Sequence, residues 1–235
     1  PRGLVVLFFT EMWERFSFYG MQGILLYYMY YSVTDGGLGI DIAVATSLVG
    51  AYGGGVYLST IVGAWLADRV LGSERVLFYS AAIVVLGHIS LAVLPGTVGL
   101  ASGLILIALG SGGVKANATS LVGTLYAEKD ERRDAGFSIF YMGINLGALV
   151  GPLLTGLLQV RLGFHYGFGL AAIGMAIGLI QYGMTRKYLP EAAHQVTNPL
   201  PRSKYAVMGG VAAGAVVLIS LAVIFGLLKA ENLAV

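Results

Sequence analysis

FFTEMWERFSFYG, residues 8–20, sets three charged side chains inside a run that otherwise reads as a continuous apolar helix. Glu11 and Glu14 stand three apart, and Glu11 and Arg15 four apart, so all three share one helical face. A charge near the centre of a bilayer costs roughly 2.5–3.5 kcal/mol on insertion scales, so it is kept where it is paired or faces a cavity. Two questions follow from the stretch: whether the helix around it crosses a membrane, and what the charges do there.

Composition answers the first. The chain has 235 residues, of which 57% are hydrophobic and 11% charged, and its mean hydropathy is +0.81. Those values belong to multi-span membrane proteins. A net charge of +2 with no basic tract excludes nucleic acid as a partner. With no cysteine there is no disulfide and no thiolate metal site, and the redox compartment is left open. The opening residues PRGLVVLFF have neither a basic n-region nor an A-x-A cleavage site, so they read as the approach to a first span and not as a signal peptide.

Apolar runs of about 20 residues, the length that crosses some 30 Å of hydrocarbon, recur between short polar breaks. They predict spans near Leu4 to Tyr31, Val44 to Ala67, Val76 to Leu94, Gly99 to Leu125, Ala135 to Val160, Tyr166 to Met184 and Tyr205 to Leu228. Six closely spaced helices (residues 1–188) are thus followed by a linker (189–204) and a seventh helix (205–228). RKYLPEAAHQVTNPLPRSK, with three prolines and several charges, reads as an exposed connection. Lys and Arg fall in alternate loops, at Arg69 and Arg75, at Lys129, Arg132 and Arg133, and at Arg186, Lys187, Arg202 and Lys204. Positive loops are retained in the cytoplasm, so the amino terminus and the linker are expected there.

Among the 35 glycines, the pair Gly99 and Gly103 and the series Gly143, Gly147 and Gly151 have the small-xxx-small spacing that lets helices approach closely in lipid. GSGGVKAN resembles a phosphate loop only superficially, because its lysine follows valine and it lies within a span. No Ser/His/Asp set, metal cluster or cofactor loop has usable spacing, so no cofactor, no metal and no enzymatic activity are expected. His88 reads as a neutral, hydrogen-bonded packing residue, and His165 and His194 as solvated. Tyr27, Tyr28, Tyr30 and Tyr31 read as an interfacial belt.

The fourth intramembrane charge is Lys115, near the middle of the fourth span. Six-helix halves of many transporters consist of three-helix repeats in which the first and fourth helices correspond and line a midplane site. Lys115 is therefore expected to complete a formally neutral set with Glu11, Glu14 and Arg15. A static ion pair serving assembly is the plain alternative. A polar cavity is favoured, since apolar packing replaces a purely structural network at little cost. Carboxylates beside bases in low dielectric suit proton coupling, because burial favours the neutral form and a nearby cation the charged one.

ExxER followed by FSFYGM, Glu11 to Met21, resembles the first-helix signature of proton-dependent oligopeptide transporters, a branch of the major facilitator superfamily. Val56 to Arg75 (VYLSTIVGAWLADRVLGSER) resembles that family's second helix and cytoplasmic loop, Gly112 to Tyr126 its fourth helix, and Phe140 to Pro152 its fifth. The seventh span resembles the first of two helices that bacterial members insert between their halves. The resemblance implies an all-α membrane protein, the six-helix N-terminal bundle of the superfamily fold plus one linker helix, in a bacterial inner membrane. It also implies proton-driven symport of di- and tripeptides by alternating access, together with a C-terminal half that this sequence lacks. Without that half the chain is not expected to transport.

Carried over by position, the resemblance gives Glu11 and Glu14 a part in proton coupling, with Glu14 able to pair with Lys115. Arg15 and Lys115 would receive the peptide carboxylate. Tyr19, Tyr57 and Asn145 would line the pocket, and Asp68 and Arg69 would belong to the gating loop. Three positions depart from the family pattern: Phe18 where a tyrosine is usual, Ala116 in place of the proline after the lysine, and Gln22 in place of a gate arginine. Two other readings stay open: the same scaffold carrying another small solute, such as an anion or a drug-like amine, and a non-transporting membrane assembly subunit.

Overall fold

The computed structural model describes residues 1–127, 129–207 and 210. The expected seventh span, Tyr205 to Leu228, lies outside them apart from 205–207 and 210. Among the described residues six α-helices follow in order: α1 (Arg2–Tyr30), α2 (Ile42–Leu66), α3 (Ser73–Val93), α4 (Gly96–Thr124), α5 (Arg132–Leu162) and α6 (Phe164–Thr185). Each matches an expected span within a few residues, and there is no strand among the described residues. Among the described residues five helices are long and apolar enough to cross a membrane, which makes this a multi-pass membrane protein. The remaining helix, α1, has 29 residues, about 43 Å at 1.5 Å per residue. Glu11, Glu14 and Arg15 set it apart from the others.

The connections are short and locally determined. The Asp41 carboxylate caps α2, accepting from the backbone N–H of Ala43 at 2.9 Å and of Val44 at 3.3 Å. After α1 the chain folds back, so that the Leu38 and Ile40 amides donate to the carbonyls of Tyr28 and Met29, each at 2.9 Å, and satisfy two of its last acceptors. Gly163 alone separates α5 from α6 with φ 107°, a conformation that side chains resist. α4 runs unbroken through Ala116, as the missing proline leads one to expect.

Helix packing follows the small residues. α1 lies along α5 and α6, α3 along α4 and α6, and α2 along α4. Gly143, Gly147 and Gly151 of α5 step under Phe8, Met12 and Phe16 of α1, one glycine per turn. Thr155 continues the row and donates from Oγ1 to the Gly20 carbonyl at 2.8 Å. In α4, Gly103 meets Leu91, Gly112 meets Ser59, and Gly113 meets both Gly63 and Ser80. With lipid as apolar as any side chain, such close backbone contact is what remains to hold helices together.

The apolar core is divided. One cluster gathers Leu4, Leu7, Leu77, Leu121 and Phe140 at the end that holds the amino terminus. Another gathers Met21, Leu25, Tyr28, Leu100 and Phe168 at the opposite end. Between them, along α1, lie Glu11, Glu14 and Arg15, all buried.

Three expectations are corrected. His88 is fully buried, but neither ring nitrogen has a hydrogen-bond partner among the described residues. His165 and His194 are engaged: His165 Nδ1 lies 3.0 Å from the Leu91 carbonyl, and His194 Nδ1 lies 3.2 Å from Glu74 Oε2. Tyr28 is not a belt residue, since it is buried against Phe164 and Phe168.

Candidate functional site

Arg15 organises the interior of α1. Its Nε donates to Glu11 Oε1 at 2.8 Å and lies 2.8 Å from Glu14 Oε2. The two carboxylates are held differently. Glu11 accepts a well-aligned hydrogen bond, whereas Glu14 touches the guanidinium without accepting one, and both its oxygens lack hydrogen-bond partners among the described residues. Glu14 is wholly buried and Arg15 is 6% exposed. Arg15 Nη2 is likewise buried without a partner. Desolvation of this kind is tolerated because opposite charges touch, and removing Arg15 would leave two buried carboxylates without their counter-charge.

Arg15 also reaches a cavity of about 260 Å³, lined by Arg15, Phe18, Tyr19, Gln22, Gly53, Val56, Tyr57, Ser111 and Lys115. α1, α2 and α4 supply its walls. From α1 come positions 15, 18, 19 and 22, which the helical period places on one stripe. From α2, Tyr57 sets its ring 4.1 Å from Lys115 Nζ, a cation–π contact. The Arg15 guanidinium lies 5.5 Å from the Phe18 ring and 6.0 Å from that of Tyr19. Phe18 in turn stacks on Tyr52, with centroids 6.3 Å apart. The cavity thus offers two cations at one level between aromatic walls, an arrangement suited to a carboxylate or another anion.

The structure brings Arg15, Tyr19, Tyr57 and Lys115 together around this cavity, with Glu11 and Glu14 directly behind Arg15. It does not pair Glu14 with Lys115. Glu14 is turned into the bundle toward Arg15, while Lys115 lies at the cavity wall on Tyr57, and no ion pair of Lys115 within 4.0 Å occurs among the described residues. Asn145 does not line the cavity. Gly143 and Gly147 turn toward α1, and Asn145, about 200° around the helix from Gly143, is exposed and donates to the Tyr141 carbonyl at 3.0 Å. Asp68 and Arg69 lie in a five-residue π-helical turn, Ala67–Leu71, between α2 and α3. Ser111 and Gly53 were not anticipated as lining residues. Ser111 was accessible to spacing alone, standing one turn before Lys115 on the same face.

A bundle of apolar helices enclosing a charged cavity is an architecture that membrane transport proteins use. The POT family profile matches residues 74–222, and the chain belongs to that family. It is 48% identical over 203 residues to the di-/tripeptide transporter of Lactococcus lactis subsp. lactis (strain IL1403), covering 85% of this chain and 41% of that protein. It is 49% identical over 225 residues to the uncharacterized transporter YclF of Bacillus subtilis (strain 168), covering 95% of this chain and 45% of that one. A crystal structure of the peptide transporter POT in complex with sulfate superposes with a TM-score of 0.93 at 48% identity, over 99% of this chain and 48% of that chain. The chain therefore spans about half the length of the relatives it matches.

Proposed function

We propose that this chain is the N-terminal half of a proton-coupled symporter of di- and tripeptides, working by alternating access in a bacterial inner membrane with its amino terminus in the cytoplasm. The observation that carries the reading is the convergence of Arg15 and Lys115 on one aromatic-walled cavity, backed by two buried carboxylates. The cations would receive the peptide carboxylate, and Arg15 Nη2, which has no partner among the described residues, would donate to it. Glu14 is assigned as the proton site, because it takes up a proton without breaking a hydrogen bond, whereas Glu11 stays clamped to Arg15. A substrate carboxylate competing for Arg15 and a proton on Glu14 then favour each other, which is the coupling a symporter needs.

The exposed faces of α2 (Leu58, Ile61, Val62) and α5 (Leu146, Leu149, Leu153) suit packing against a second six-helix half, toward which Asn145 would also point. Asp68 and Arg69 would serve in cytoplasmic gating. Its work is transport and not catalysis. The reading as an assembly subunit fits less well, since a lateral proton relay needs charges spread along the middle of several helices, and here the mid-helix charges Glu11, Glu14, Arg15 and Lys115 gather around one cavity, while the buried Glu74 lies at the start of α3.

The test is uptake by the full-length protein in liposomes. A labelled dipeptide should accumulate above its outside concentration when a proton gradient is imposed, and not without one. If wild-type protein moves another small anion or an amine but no peptide, the substrate assignment fails. Lys115→Gln should raise the half-saturation concentration by roughly ten- to a hundredfold, the weight of one charge-assisted contact, with maximal rate less affected.

A further inference from the structure

The segment after α6 looks from its prolines like a free connector, yet it is docked. Leu189, Ala193 and Leu200 are buried, at 6%, 1% and 7% exposure. The Asn198 amide donates to the Asp68 carbonyl and the Leu200 amide to the Arg69 carbonyl, each at 2.9 Å. Segment and turn are therefore joined backbone to backbone.

Beneath this contact lies a charged cluster separate from the central cavity. Glu74, at the start of α3, is completely buried. Arg186 Nε stands 2.7 Å from its Oε1, Arg186 Nη2 donates to its Oε2 at 3.0 Å, and His194 Nδ1 lies 3.2 Å from the same Oε2. Arg186 is also stacked 4.6 Å from the Phe78 ring. Gly72 adopts φ 84° and lies directly under the segment, where a Cβ would come within 2.9 Å of the His194 carbonyl. The buried carboxylate thus bonds residues on both sides of Leu189 and draws the segment down over the turn.

We propose that residues 189–200 are a strap that holds the α2–α3 turn, with Glu74 as the positioning residue. α2 packs mainly on α4, as far as the crossing of Gly63 on Gly113. Beyond that crossing, the backbone hydrogen bonds that the turn receives from outside α2 and α3 come from Asn198 and Leu200, among the described residues. The strap therefore governs where the end of α2 stands, and α2 carries Tyr57 and Gly53 into the cavity. This inference goes beyond the transport assignment, and its first readout needs no substrate.

The experiment is hydrogen exchange on the full-length protein in nanodiscs, with fragmentation that resolves single amides, alongside uptake. In wild type the Asn198 and Leu200 amides should exchange at least about tenfold more slowly than in a free chain. Glu74→Gln should speed both about tenfold while the mid-helix amides of α3 keep their protection, and Arg186→Lys, which keeps the cation, should stay near wild type. His194→Ala removes only the half-exposed arm of the cluster, so it tests the strap even if Glu74→Gln does not fold; a roughly threefold increase is expected. Fast exchange in wild type, or protection unchanged in both Glu74→Gln and His194→Ala, overturns the strap. Freed amides with an unaltered half-saturation concentration for the transported solute overturn its control of α2.

Discussion

Glu14→Gln in the full-length protein is expected to abolish proton-driven accumulation of peptide while peptide-for-peptide exchange continues. Glutamine keeps the shape of the side chain but takes up no proton in the physiological range. The proposed peptide site is left largely intact, because Arg15 keeps its hydrogen bond to Glu11 and its place at the cavity. With substrate no longer linked to a proton, the internal concentration should rise only to the external one. A variant that still concentrates peptide against a gradient rules out Glu14 as the proton site. The corresponding Glu11→Gln should behave differently, since it removes the partner that fixes the guanidinium, and exchange is expected to fall together with accumulation.

Gly147→Leu is expected to prevent stable folding. A Cβ at this position would meet the Met12 carbonyl, and would come within 2.9 Å of the Phe16 nitrogen and 3.1 Å of Arg15 Cβ. All are atoms on or next to the α1 backbone, so no flexible side chain can move aside and the two helices must separate. Overpacking of this kind costs 1–3 kcal/mol where side chains absorb it and more where backbone must move. The separation would also undo neighbouring contacts, at Gly143 and Gly151, and displace Arg15 from its carboxylates. We expect a fall of at least about 10 °C in unfolding midpoint, using about 2–4 °C per kcal/mol, and little protein recovered from membranes. Gly156→Leu on the same helix is the control, since nothing among the described residues lies within 4 Å of a Cβ there. Equal stability of the two variants would show that the glycine row is not what holds α1 to α5.

Helices were the most legible level, because a run of about 20 apolar residues has few alternatives to a membrane span. The charged stripe at Glu11, Glu14 and Arg15 was legible for the same reason: charges so costly in lipid must share a face and a partner. Which partner they choose was not legible. Whether Glu14 meets Lys115 depends on how α1 and α4 are rotated about their axes, which periodicity leaves free, and the structure turns Lys115 onto Tyr57 instead. Asn145 illustrates the same limit, since motif spacing gives no direction to a side chain on a helix with apolar residues all round. The strap was hidden for another reason. Leu189, Ala193 and Leu200 are irregularly spaced among prolines and charges, so no period marks them as buried, and the segment's contacts come from α1, α3, α4 and the turn after α2.

The interruption of the apolar core by the layer around Arg15 has an electrical consequence. Glu14 stands near the middle of α1, which runs from Arg2 to Tyr30. A proton that reaches it from either side has crossed roughly half of the membrane potential, about 1.2 kcal/mol at 100 mV. Voltage would then act on the loading and the unloading of this carboxylate alike, and a hyperpolarised membrane would drive the carrier even with no difference in pH across it.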